Sequence, residues 1–259
     1  MPHEAGVAVR CVLLAILLVL AGSSIAAAHF DLPPMAPRDE YGNILINRTS
    51  TRNNMRPVSF SHWLHRKYFT CRVCHSELDF NMKANTTEIT ERDNRNGKFC
   101  GACHDGRVAF RHSGNCDKCH NGDINYSAPR FDEFFEKPFP TTGYGNGINW
   151  VESLDRKLIQ PATFLNRKSQ DINFDKLLVM EAGWSIISPA VFPHKAHVAW
   201  LDCNNCHPDL FNVKRKGTKQ LNMSAMLGGD FCGACHLTVA FPLDDCQRCH
   251  PGMKEDARE

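Results

Sequence analysis

The sequence predicts a mostly irregular, loop-rich fold with short α-helices, built as two like modules whose interior is filled largely by something other than side chains. Three observations lead there. Of 13 cysteines, all but Cys11 stand in Cys-x-x-Cys-His groups, and these fall into two sets of three that repeat at an offset of 132 residues. The hydrophobic fraction, 42% of 259 residues, is a little low for a self-sufficient core.

The groups are Cys71-Arg-Val-Cys74-His75, Cys100-Gly-Ala-Cys103-His104, Cys116-Asp-Lys-Cys119-His120, Cys203-Asn-Asn-Cys206-His207, Cys232-Gly-Ala-Cys235-His236 and Cys246-Gln-Arg-Cys249-His250. In such a group each thiol adds to a haem vinyl group, and two intervening residues give the separation that spans one porphyrin edge. The adjoining His then lies under the ring and ligates iron. Zinc binding through the Cys pairs is the competing reading. Zinc has no need of His directly after every second Cys, so the expected cofactors are six covalent haem c groups.

The duplication extends beyond the cysteines. Phe60-Ser-His62-Trp-Leu-His65 answers to Phe192-Pro-His194-Lys-Ala-His197, and Phe99-Cys100-Gly-Ala-Cys103-His104 to Phe231-Cys232-Gly-Ala-Cys235-His236. Only the third group of each set slips, by two residues. A module of about 65 residues is marginal as a peptide fold without a metal or crosslink. Three covalently held porphyrins would therefore form the core of each.

The chain divides as an export signal over 1–28, an extended arm over 29–57, a first module over 58–126, an inter-module segment over 127–190, a second module over 191–252 and a tail over 253–259. The signal is read from Arg10, the apolar run from Cys11 to Ala21 and the small residues ending Ala26-Ala27-Ala28. At about 11 residues the run is short of the roughly 20 that span a bilayer. Export agrees with haem attachment outside the cytoplasmic membrane and implies a periplasmic protein. Residues 127–190 hold neither Cys nor His but are rich in Phe, Pro and Gly, so they are expected to pack across the modules. Within them Ile148, Val151, Leu154 and Leu158, ended by Pro161, have helical spacing.

Formal charge is +2, and loss of the signal leaves it there because Glu4 and Arg10 cancel. Two propionates per haem would make the holoprotein surface much more acidic. Short basic groups such as Lys214-Arg215-Lys216 read as solvated loop, and no nucleic-acid site is expected.

Six irons need twelve axial ligands, and the attachment groups supply six. The mature chain holds six further histidines: His29, His62, His65, His112, His194 and His197. Four of them form an H-x-x-H pair ahead of the first attachment group of each module. A duplicated pair at a fixed distance from a haem site reads as ligation rather than as solvated surface.

This pattern, F-x-H-x-x-H followed by three C-x-x-C-H groups, resembles the trihaem class III cytochromes c, small periplasmic relatives of the tetrahaem cytochromes; it covers residues 58–121 and 191–251. The resemblance implies that the first His of the pair ligates the first-attached haem and the second His the next. That pairs His62 with His75, His65 with His104, His194 with His207 and His197 with His236. The third haems depart from the simplest family pattern, because no His stands between the first and second attachment groups. Met223, with Met226 second, is the candidate opposite His250; its counterpart in module one is Glu91, and Met82 or His112 is the candidate opposite His120.

The leading functional reading is an electron carrier without a substrate pocket. The resemblance implies redox partners: a membrane quinol-oxidising complex, other cytochromes and terminal reductases. A membrane would be met only through the signal or a partner complex. A multihaem reductase acting at an open third haem, and a subunit of a larger haem assembly, are the alternatives.

Overall fold

The computed structural model describes residues 32–166, 172–183, 187–211 and 221–253. The expected signal, His29, Lys214-Arg215-Lys216 and residues 254–259 lie outside them. Within the unit Leu32–Met253 the elements are short and most residues are irregular, as the composition predicts.

Each module opens on a hairpin. Strand β1 (Asn43–Ile46) is followed by helix α1 (Arg48–Arg52) and pairs antiparallel with β2 (Val58–Ser61), from Asn43 opposite Ser61 to Ile46 opposite Val58. Strands β3 (Leu177–Met180) and β4 (Ala190–Pro193) repeat the arrangement, from Leu177 opposite Pro193 to Met180 opposite Ala190. The second strand of each hairpin runs without a break into a five-residue helix, α2 (His62–Arg66) and then α6 (His194–Val198). Three residues apart on one turn, the two histidines of each pair share a helix face.

The stretch read as an extended arm thus holds a strand and a helix, and β3 lies in the stretch read as inter-module segment. Asn43-Ile-Leu-Ile and Leu177-Leu-Val-Met are four residues long with apolar neighbours in sequence. Neither shows the alternation that marks a half-buried strand.

The segment between the modules carries most of the peptide core. A single cluster of buried side chains comprises Trp63, Phe131, Phe134, Ile148, Trp150, Ile159 and Trp200. Five of these belong to the segment, and Trp63 and Trp200 bring in one module each. Helix α4 (Ala128–Phe135) starts with proline in its first turn, where the missing N–H costs nothing, and buries Phe131 and Phe134.

Helix α5 (Trp150–Asp155) is shorter than the apolar spacing predicts. Asn149 caps its start by accepting from the Glu152 N–H. Its end is a Schellman turn: Lys157 adopts φ +57°, the Leu158 N–H donates to the Ser153 carbonyl and the Lys157 N–H to that of Leu154. The chain therefore turns before Leu158 can continue the stripe. Ile148 and Leu154 reach the cluster, whereas Val151 and Leu158 are each 40% exposed.

Main-chain and side-chain hydrogen bonds seal the modules at this seam. Buried Arg72 donates through Nε to the Leu201 carbonyl at 3.1 Å and through Nη2 to those of Leu201 and Val198. Asn205 Nδ2 donates to the His75 carbonyl at 3.0 Å, and Ser76 Oγ donates to Asn204 and Asn205. The first attachment segments of the two modules thus lie against each other. Farther along, the Tyr41 hydroxyl donates to the Ala240 carbonyl at 2.7 Å.

A second repeated contact places the middle attachment group. Helix α3 (Glu91–Arg95) and its counterpart α7 (Met223–Leu227) each pack against the glycine inside a Cys-Gly-Ala-Cys group. A Cβ on Gly101 would overlap the carbonyl oxygen of Asn94, and one on Gly233 that of Met226. The preceding Phe99 and Phe231 both hold left-handed φ, +46° and +51°, a strained choice for a bulky side chain. We expect Gly101→Ala or Gly233→Ala to destabilise the holoprotein by about 3 kcal/mol through overpacking. An unchanged urea midpoint would show that the helix can move aside.

Candidate haem-binding sites

Each attachment group is wound into about one helical turn. The first runs into the π-helical turn Val73–Glu77; the others occupy Phe99–Ala102, Cys116–Lys118, Cys203–Asn205, α8 (Gly233–His236) and α9 (Cys246–Cys249). In the last five, the His N–H donates to the carbonyl of the first Cys: His104 to Cys100, His120 to Cys116, His207 to Cys203, His236 to Cys232 and His250 to Cys246, at 2.8–3.0 Å. One turn therefore sets both thiols and the imidazole from a single short piece of backbone. The twelve cysteines are unpaired.

Ten imidazoles share one further feature. Nδ1 of His62 meets the Gly42 carbonyl, His65 that of Ser61, His75 that of Phe80, His104 that of Phe110 and His120 that of Arg56. In the second module His194 meets Lys176, His197 meets Pro193, His207 meets Phe211, His236 meets Phe241 and His250 meets Ser188. All ten distances lie between 2.7 and 3.1 Å. A carbonyl accepts only, so Nδ1 carries the proton and Nε2 keeps the lone pair that a metal needs.

Ring packing repeats as well. Phe60 lies 4.4 Å from His65, centroid to centroid, and meets His62 edge-on at 4.8 Å; Phe192 lies 4.2 Å from His197 and meets His194 edge-on at 4.9 Å. The centroids of His65 and His104 are 6.2 Å apart, and those of His197 and His236 are 6.3 Å apart. That gap accommodates one metal between two rings at imidazole–metal bonds of about 2 Å each. His75 is close enough to His62 for a charge on it to oppose one on His62. Among the described residues no ring contact joins His194 to His207, so that pairing stands on its place in the repeat.

The remaining candidates are placed differently. His112 lies beside His104, to whose carbonyl its backbone N–H donates, and its ring makes no carbonyl bond of the kind the ten share. Met82 sits half-buried in the loop between the first two attachment groups, and Met223 is the half-buried first residue of α7. Among the described residues neither sulfur makes a hydrogen bond. Glu91, at the position of Met223 in the first module, is held by Arg95 at 2.5 Å.

Burial sets the protonation of these groups. It lowers His62 to about 3 and His236 to about 4, and also lowers His65, His75, His104 and His197. It pushes the thiols of Cys74 and Cys235 up to about 12 and those of Cys100 and Cys232 up to about 11. Neutral imidazoles are the form that donates to a metal.

Neighbouring attachment groups also lie near one another, and the middle group of the second module adjoins three others. Cys119 faces Cys100, Cys100 faces Cys74, Cys71 faces Cys235 across the seam, Cys235 faces Cys206, and Cys232 faces Cys249.

The donor set fits haem. Among the described residues no three His, Cys, Asp or Glu side chains converge into a metal site of their own. Paired imidazoles with a metal-sized gap, flanked by unpaired Cys-x-x-Cys thiols, suit a metal whose other four ligands come with the cofactor. The residues that sequence reasoning missed are the carbonyl acceptors and the clamping rings of Phe110 and Phe241, 4.4 and 4.3 Å from His104 and His236. Main-chain acceptors leave no residue signature, and these two phenylalanines stand at unequal distances from their groups. Phe192→Ala is expected to cost about 2 kcal/mol by removing the ring between the two histidines, read as a lower urea midpoint; Phe192→Leu should recover about half.

Comparison with known proteins agrees. No curated protein matches the chain. Among solved structures, the C-terminal hexahaem fragment of GSU1996 is 26% identical, with 84% of this chain and 98% of that one covered and a TM-score of 0.27. The dodecahaem cytochrome c GSU1996 is 26% identical, with 82% and 75% covered and a TM-score of 0.28. Its N-terminal hexahaem fragment is 25% identical, with 82% and 99% covered and a TM-score of 0.26. Residues 58–121 and 190–251 each match the family described as cytochrome c7 and related cytochrome c. Each opening on the same histidine pair and carrying three attachment groups, residues 58–121 and 190–251 are two tandem segments of the family of cytochrome c7 and related cytochromes c.

Proposed function

We propose that this cytochrome is a periplasmic six-haem electron carrier that takes electrons from membrane quinol-linked donors and delivers them to terminal acceptors. The observation that carries the reading is the ten carbonyl-anchored imidazoles, six in attachment groups that adjoin one another and four in the two histidine pairs. When bound, each haem supplies an iron that gains and loses one electron. The chain's own part is to fix ring direction through Nδ1, to keep His62, His65, His75, His104, His197 and His236 neutral by burial, and to hold neighbouring sites side by side. No helix among the described residues is long and apolar enough to cross a membrane.

In this reading His62 and His75, His65 and His104, His194 and His207, and His197 and His236 are the axial pairs of four haems. His120 and His250 hold the other two, with Met223 opposite His250. Met82 is favoured over His112 opposite His120, because His112 faces the second site and lacks the Nδ1 bond common to the ten.

Mass measurement of the exported protein should give six covalent haems, and low-temperature magnetic spectra should give four bis-His and two His/Met signals. His197→Ala should open one further iron to carbon monoxide in the reduced state, and Met223→Ala should remove one His/Met signal. Turnover of nitrite or sulfite by the reduced wild-type protein would replace the carrier reading with a reductase.

A further inference from the structure

Arg66 ends α2, one residue after His65, and its position in the second module is taken by Val198. The guanidinium lies at the seam between the ring faces of Trp150 and Trp200, 5.1 and 4.6 Å from their centroids. Nη1 reaches the Val239 carbonyl at a long 3.4 Å, and Nε is shielded from solvent with no hydrogen-bond partner. Arg72, at the same seam, differs: its side chain is satisfied by two carbonyls and serves to dock the modules.

No carboxylate of the described residues answers this charge. Among the described residues none of the ion pairs includes Arg66. The groups its charge faces are the thiols of Cys71 and Cys235, the phenol of Tyr41 and the imidazoles of His62 and His236. Tyr41 is engaged with the Ala240 carbonyl, and burial opposes its ionisation. Both thiols stand in attachment groups, and a thioether carries no charge. A guanidinium does not give up its proton, so a cation stands where desolvation makes it expensive, with no counter-charge from the described side chains. It stands between two attachment sites, the first of one module and the second of the other.

We propose that Arg66 is a positioning residue for electron transfer: its fixed charge raises the reduction potentials of the haems attached at Cys71/Cys74 and Cys232/Cys235 above those at the equivalent sites, Cys203/Cys206 and Cys100/Cys103. The inference rests on the six-haem reading. Reduction removes one positive charge from an iron site, so a nearby fixed cation favours the reduced state. The duplication alone would make equivalent sites alike. Arg66 breaks that symmetry at the seam between the modules, and makes the seam the better-held position for an electron.

The test is a redox titration with each haem followed separately by its methyl resonances, on the wild-type holoprotein, Arg66→Met and Arg66→Lys. In the wild type, the haem nearer Arg66 in each equivalent pair should have the higher potential. Arg66→Met should weaken reduction of those two at least tenfold, which is 59 mV for a one-electron couple, and leave the other four in place; Arg66→Lys should retain most of the difference. Equal potentials within the equivalent pairs of the wild type would overturn the proposal, as would an Arg66→Met shift spread evenly over all six. Should Arg66→Met fail to accumulate, the wild-type comparison decides alone. Haem count by mass separates the two readings: fewer than six sinks the six-haem carrier, whereas six haems with matched pairs sink only the role of Arg66.

Discussion

Hydrogen bonds from imidazole Nδ1 to main-chain carbonyls are the constraint on which the rest of this structure depends. An imidazole on a short loop has two free torsions, and a metal site tolerates little error in either. Here ten rings are each tied to a carbonyl, and the acceptors come from elements with little else in common. Arg56 and Ser188, at the duplicated offset, lie just ahead of β2 and β4 and accept from His120 and His250. Gly42 and Lys176 border the opposite strands and accept from His62 and His194. The two small hairpins thus exist to hold ligands more than to build a core.

The division of labour between module and segment follows from the same economy. Inside each module the peptide buries few apolar side chains, since haem would occupy the space. At the seam the chain supplies an ordinary aromatic cluster, with Trp63 and Trp200 meeting the segment between them. Arg66 belongs to the same cluster of rings, and its charge is the one element of the seam that packing does not explain.

Most of the site was legible because covalent chemistry demands residues at fixed spacing. Cys-x-x-Cys-His cannot be spread out, and H-x-x-H must fall on one helical turn, so both survive as text. The hairpins were not legible, because four-residue strands such as Leu177–Met180 carry no period that distinguishes them from loop. The end of α5 was not legible either: Lys157 in a left-handed conformation is not a residue that announces a helix stop. The Nδ1 acceptors could not be read at all, being backbone. Repetition proved the better guide, since the repeated Phe-Cys-Gly-Ala-Cys-His reflects a left-handed Phe and a glycine with no room for a Cβ.

The aromatic cluster has a consequence for how such a chain changes over generations. Each module contributes a tryptophan to a core whose greater part belongs to the stretch between them. A gene cut in that stretch would leave either half with an oily face turned to water. Two copies joined in this way are not beads on a string: each turns an apolar face to the stretch between them, and the halves depend on one another for its cover.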